Sequence, residues 1–356
     1  MSADSDSGTD EVPVGARIDW SVAATVGRRI ARPGPRTTGY TLNQAREELF
    51  DAARRAEAPV REVTGLADGL PVPAAEVLDR KEWISAAAQS MSSMLGGGLS
   101  DEEKPSPSIT GRVSGLQAGG LLAFLSGAIL GQYDPFTPDR QSGADGVLML
   151  VTPNVIAVER AIGAVPSDFR LWVCLHEVTH RVQFSANPWL RDHMLDNVAL
   201  LTTDTGESGA EALRRITESL RSGRKRESGV LGAMQLLQTP EQYEAFSRMM
   251  MLGTLLEGHA DHVMDGVGPG LVPTVGRIRE AFDKRRNRPQ NPLQRIMRAL
   301  IGMDAKLAQY IRGKAFVDEV VATVGMARFN AVWTSPETLP RPAEIDEPRL
   351  WIDRVL

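Results

Sequence analysis

Trp172-Val173-Cys174-Leu175-His176-Glu177-Val178-Thr179-His180-Arg181-Val182-Gln183-Phe184 is the stretch on which the reading of this chain turns. Ser167 or Asp168 offers a helix start and Asn187-Pro188 a stop, so a helix is predicted through Phe184. Residues four apart on a helix share a face, which lets the His176 and His180 imidazoles reach one cation. Glu177 points about 100° around the axis, toward the place of a water on that cation. With five His in the chain, two at i and i+4 with Glu beside the first arise by chance about 0.005 times per chain of this composition. The bland alternative is a solvated surface pair. Leu171, Val173, Cys174 and Leu175 argue against it, because unpaired His and Glu are costly on a buried helix.

Two protein ligands rarely make a stable zinc site, so a third is required. A third His six residues after His180 is excluded, since that position is Ala186 and the expected Gly at 183 is Gln183. The next candidates lie between Leu255 and Asp265, on a second predicted helix with Thr239 as N-cap, Pro240 at its first position and Gln242 at its third. Glu257 and Asp261 are four apart there. Glu257 can supply the third ligand while Asp261, one turn on, accepts a hydrogen bond from the outer nitrogen of a ligating His and fixes its tautomer. His259 projects to roughly the opposite face from Glu257. His259, Asp261, His262, Asp265 and His193 stay open as alternative third ligands, although His193 reads as a polar loop residue.

The rest of the composition bounds the partners. The chain has 356 residues, 42% hydrophobic and 24% charged, as a soluble globular protein does. Its formal charge of −5 gives no field that gathers phosphate backbones, so no nucleic-acid partner is expected. Cys174 is the single cysteine, which excludes an internal disulfide framework and any multi-thiolate zinc finger and suits a reducing compartment. Met1 to Glu11 lacks a basic n-region and an apolar h-region, so the predicted address is cytoplasmic.

Along the chain, residues 1–12 read as a disordered acidic tail and 13–100 as a helical region. The linker from Gly96-Gly97-Gly98 through Ser108 leads into 101–356, unless 13–356 is one continuous domain. Helices are predicted from Trp20 to Ala31, from a Thr41 cap to Ala58 with Pro59 closing it, and from Ala74 to Leu95. Another runs from an Asn154 cap to Ile162. The run Val113 to Tyr133 holds 21 residues without a charge, long enough to span a membrane. Its many Gly, Ser and Gln dilute it, so it reads instead as an interior helix on which Gly111, Gly115 and Gly119 let neighbours approach closely. Gly146 to Val151 is the clearest strand, either a core strand or an edge that holds an extended peptide. Arg224-Lys225-Arg226 reads as an exposed turn within the charged segment Gly209 to Glu227.

The HExxH helix with a distant ExxxD resembles the gluzincin arrangement of zinc metallopeptidases. Leu256-Glu257-Gly258-His259-Ala260, Val263-Met264-Asp265 and Phe329-Asn330-Ala331-Val332-Trp333 add to the likeness. Together they resemble an uncharacterised actinobacterial family of zincin-like, zinc-dependent metallopeptidases, sometimes associated by name with deazaflavin cofactor biosynthesis. The resemblance implies a mainly α zincin-like fold with a small β element and an N-terminal helical region. One zinc per chain is expected, because a single His, His, Glu set is present and no thiolate cluster competes.

With zinc on His176, His180 and Glu257, Glu177 is the expected general base for water attack on a peptide or small amide. Tyr310 is the candidate oxyanion donor, against the plainer reading of a core tyrosine, with Arg277 and Arg279 as weaker candidates. A zincin-fold scaffold that binds zinc or a partner without turnover is the rival reading.

Overall fold

Strand β3, Asp145–Val151, carries apolar side chains to both faces of a three-stranded sheet. Leu148 and Leu150 enter one core cluster, while Val147, Met149 and Val151 enter another. A strand covered on both sides is expected to read as one apolar run. The computed structural model describes residues 14–96, 108–138, 145–202, 238–286 and 303–356. The predicted acidic tail, positions 97–107 of the linker and the segment containing Arg224-Lys225-Arg226 lie outside them.

The elements before β3 are α1 (Trp20–Ile30), α2 (Gly39–Thr64), β1 (Glu76–Leu78), α3 (Arg80–Leu95), α4 (Ile109–Leu125) and β2 (Gly131–Pro138). After it come α5 (Thr152–Ile162), α6 (Pro166–Ala186), α7 (Trp189–Thr202), α8 (Pro240–Val267), α9 (Val275–Arg286) and α10 (Met303–Val324). Short helices α11 (Met326–Phe329), α12 (Pro342–Asp346) and α13 (Pro348–Val355) complete the order. The protein is therefore mainly α with a small β element. Sheet order is β1-β3-β2, with β1 parallel and β2 antiparallel to the centre. Helices α1, α3 and α4 cover one face through Ala23, Ile84 and Leu122. Helices α2, α5 and α6 cover the other through Leu49, Val155 and Leu175. A third cluster joins the end of α6 and the middle of α8 to α10 and the C-terminal turns around Phe316, Phe329 and Trp351. Elements from both sides of position 100 thus share one sheet.

Several local expectations are corrected. Pro59 sits inside α2, which continues to Thr64 and stops at Gly65 in the left-handed conformation. Proline forfeits one helical hydrogen bond but keeps a helical φ. Burial of Ala56, Val60 and Thr64 on one face offsets that loss, as do Arg61 bonds to Glu57 at 2.8 Å and to the Ala67 carbonyl at 2.6 Å. The expected helix from Ala74 starts later, at Arg80, because Glu76 to Leu78 pair with β3 and Asp79 forms a capping box with Glu82. Asn154 does not cap α5; its amide donates to the Ser126 and Ile129 carbonyls.

The uncharged run divides into α4 and β2, and no helix among the described residues is long and apolar enough to cross a membrane. Its glycine face does pack closely. A Cβ on Gly115 would lie 2.4 Å from the Asp19 carbonyl oxygen, and one on Gly119 would lie 2.7 Å from that of Ala23. The expectation of an interior helix fails on the other face, where Val113, Leu116 and Phe124 are exposed; among the described residues α4 packs chiefly on α1, through its glycine face. The run Val147–Val151 is the central strand, so the edge-strand reading does not hold for it. Among the described residues the edge strand beside α6 is β2.

Candidate metal centre

Helix α6 is fixed before its polar residues are considered. Cys174, Leu175, Val178 and Val182 are buried against α2 and the sheet. Burial pushes the Cys174 thiol far up, so it is a neutral core group. Arg181 pairs with buried Glu57 and donates to the Pro73 carbonyl at 2.7 Å, while Arg170 grips Glu159 and Glu48. These ties leave His176 and His180 one turn apart on the face toward α8.

Helix α8 begins with the predicted capping box of Thr239 and Gln242. It crosses α10 backbone to backbone, because a Cβ on Gly258 would lie 2.2 Å from the Gly313 carbonyl carbon. That crossing sets the depth of the neighbouring residue, Glu257.

The three predicted ligands converge. His176 Nε2 and His180 Nε2 are 3.2 Å apart, and Glu257 Oε2 lies 3.3 Å from the first and 3.7 Å from the second. One donor atom from each lies within 4.8 Å of the others, a set that can hold a metal ion. Glu257 Oε2 is buried yet has no hydrogen-bond partner, the state of an acceptor built for a cation. The side chains stay 25%, 14% and 19% exposed, so solvent reaches the cluster.

Electrostatics favour one positive charge at this point. Burial works against ionising His176, but the Glu257 carboxylate outweighs it and raises the imidazole to about 9. Burial pushes Glu257 up, and the two imidazoles more than reverse this, holding it well below the usual carboxylate range. A proton or a divalent cation can supply that charge, and the two compete. Glu177 differs from Glu257. It is buried, and desolvation raises it above the ordinary carboxylate value despite the neighbouring imidazoles.

Of the remaining candidates, His259 is fully buried with its ring 5.6 Å from Phe329 and 5.3 Å from Trp333. Burial brings its pKa down to about 3. His262 pairs with Asp318 at 2.7 Å, Asp265 with Arg279 and Lys314, and His193 with Asn197. None of these joins the donor set. Asp261 favours the charged form of His176 but makes no hydrogen bond to the imidazole of His176 or His180 among the described residues. Arg279 is taken by Asp265, and Arg277 lines a small cavity with Ile162 and Ile278. Tyr310 lies on α10, but its side chain is outside the described residues.

Two residues at the site escaped the sequence reading. Gln183 Oε1 lies 2.9 Å from His180 Nδ1, where Asp261 had been expected to serve. Its i+3 spacing from His180 was a usable signal. Gly131, at the start of β2, lies against Glu177, and a Cβ there would be 2.6 Å from Glu177 Cγ. No local pattern connects those two positions.

Comparison with known proteins agrees with this architecture. The sequence profile of the zincin-like metallopeptidases matches residues 18–352. A crystal structure from Chloroflexus aurantiacus, described as "a putative hydrolase with a novel fold", is similar over 95% of this chain and 98% of that one. The two share 31% identity at a TM-score of 0.65. A search among curated proteins returns no match. With the profile covering nearly the whole chain, the protein belongs to the zincin-like metallopeptidase family.

Proposed function

We propose that the chain is a zinc-dependent hydrolase that cleaves peptide or small amide bonds, with His176, His180 and Glu257 as ligands of one zinc and Glu177 as general base. The observation that carries this reading is the buried, unpartnered Glu257 Oε2 beside two imidazole nitrogens. Zinc held by such a set supplies Lewis acidity toward a carbonyl and toward water. Glu177 takes the proton of the attacking water on its carboxylate and returns it to the leaving amine. Its burial suits both halves of that task, since an acid with a raised pKa holds a proton long enough to give it back. Strand β2, which begins beside Glu177 and pairs with one strand only among the described residues, is the strand beside which an extended substrate would lie.

The rival reading, a scaffold that binds zinc without turnover, leaves Glu177 without a task. The net charge of −5 supports a partner other than nucleic acid, and the lone buried Cys174 supports a cytoplasmic address. The test is metal analysis together with digestion of a peptide library by wild-type and Glu177→Gln protein. About one zinc per chain, and cleavage by wild type alone, are expected. Zinc binding without cleavage by either would favour the scaffold, and no zinc would refute the ligand set.

A further inference from the structure

We propose that Gln183 is the positioning residue of this centre: it selects the tautomer of His180 that leaves Nε2 free for a cation, and it ties the HExxH helix to the turn bearing Glu257. The inference rests on the zinc reading above and reaches beyond it, to how this chain prepares its own donors.

The orientation of the Gln183 amide is fixed by elimination. Its Nε2 stands 2.9 Å from the carbonyl oxygen of Leu256, and a carbonyl can only accept. The atom there must be the amide nitrogen. Its second N–H points to His259 Nδ1 at 3.0 Å, so the proton of neutral His259 is on Nε2, the nitrogen left without a conventional partner. Phe329 stacks on that imidazole and Trp333 meets it edge to face. Both amide protons are then committed, and only Oε1 remains to face His180 Nδ1 at 2.9 Å. An oxygen there requires a donor, so His180 carries its proton on Nδ1. The Nε2 lone pair is thereby directed at His176 and Glu257.

Gln183 is fully buried, so no water can take over these bonds. Leu256 is the residue immediately before Glu257. One amide therefore orients a ligand on α6 and holds the backbone beside a ligand on α8. A second-sphere carboxylate would bring charge; this amide supplies the acceptor without it.

Two measurements test this. In metal-free wild-type protein labelled with nitrogen-15 at histidine, long-range proton–nitrogen correlations at mildly alkaline pH report which ring nitrogen of His180 carries the proton. His180 is expected to be protonated on Nδ1; protonation on Nε2 would overturn the proposal. Zinc affinity is then measured by chelator competition. Gln183→Met, close in volume but without the amide, should bind zinc about 10- to 100-fold more weakly and should lose the single tautomer. Gln183→Glu keeps an acceptor toward His180 whether or not its buried carboxyl is protonated, so it should retain the Nδ1–H form. A Gln183→Met protein with wild-type affinity and an unchanged tautomer would refute the positioning role. If wild type bound no zinc yet showed the Nδ1–H form that Gln183→Met lacks, the zinc reading would fail while this inference stood.

Discussion

Gly131→Ala adds one methyl group at the start of β2. The backbone of Gly131 lies outside the positive-φ region, so alanine adds no backbone strain and the consequence is one of space alone. The new Cβ would stand 2.6 Å from Glu177 Cγ, 2.9 Å from Cδ and 3.0 Å from Oε1, whereas ordinary contact begins at 3.4 Å. Glu177 must retreat by about 0.8 Å at Cγ, and displacement on this scale at a catalytic group costs about 100-fold in rate. Overpacking should lower stability by about 1–3 kcal/mol. The three atoms nearest the methyl group all belong to Glu177 and none to the proposed ligands His176, His180 and Glu257, so zinc affinity should stay within a few-fold of wild type. The assay is kcat/KM on the best-cleaved library peptide, with zinc titration and denaturant unfolding alongside. Gly120→Ala on the open face of α4, where a Cβ meets nothing within 4 Å, is the control and should keep full activity. If Gly131→Ala hydrolyses that peptide within threefold of wild type, Glu177 is not held against β2 as described or is not the base.

Glu177→Gln should keep its zinc and its fold and lose at least about 100-fold in kcat, read by steady-state kinetics against metal content. Glu257→Ala should lose most bound zinc, whereas Asp261→Ala, acting on His176 only through charge, should cost less than the 10- to 100-fold typical of a hydrogen-bonded partner. Equal zinc loss in the two, by chelator competition, would contradict the assignment. His259 ionises near 6.5 in the unfolded chain but only at about 3 when folded, so the unfolded state binds more protons between those values and stability falls as pH drops. This contributes a slope of about 1.4 kcal/mol per pH unit, which denaturant titrations of zinc-free His259→Phe should lack.

What could be read in the sequence followed the reach of each signal. HExxH and the Thr239 capping box are local, and both appear where spacing placed them. Bringing Glu257 to His176 required only two helix faces and one chemical demand for a third donor. Pro59 and the segment from Ala74 misled because the deciding forces are tertiary: burial of Val60 and Thr64, and pairing of Glu76–Leu78 with β3. The α4 run shows the same limit in reverse, since its glycine spacing was legible while the exposure of its other face depends on which elements fold beside it. Gly131 was unreadable in principle, as its role exists only where β2 crosses Glu177. Gln183 was readable, and the expected Asp261 displaced it from consideration.

The parallel pairing of β1 with β3 also constrains the order in which the chain can fold. Glu76 meets Met149 and Leu78 meets Val151, so the ladder on that side cannot close until the ribosome has released everything between them. Contacts so distant in sequence slow the search for the native state. During synthesis α2 and α3 emerge early, but the strand that joins their two layers arrives late, and the HExxH helix follows it. In that interval Gly146-Val147-Leu148-Met149-Leu150-Val151 is an uncharged, apolar segment with open backbone groups, the kind of surface by which nascent chains associate. Slow synthesis at low temperature therefore favours the folded protein, and crowded expression favours loss of the chain to aggregates before His176, His180 and Glu257 have met.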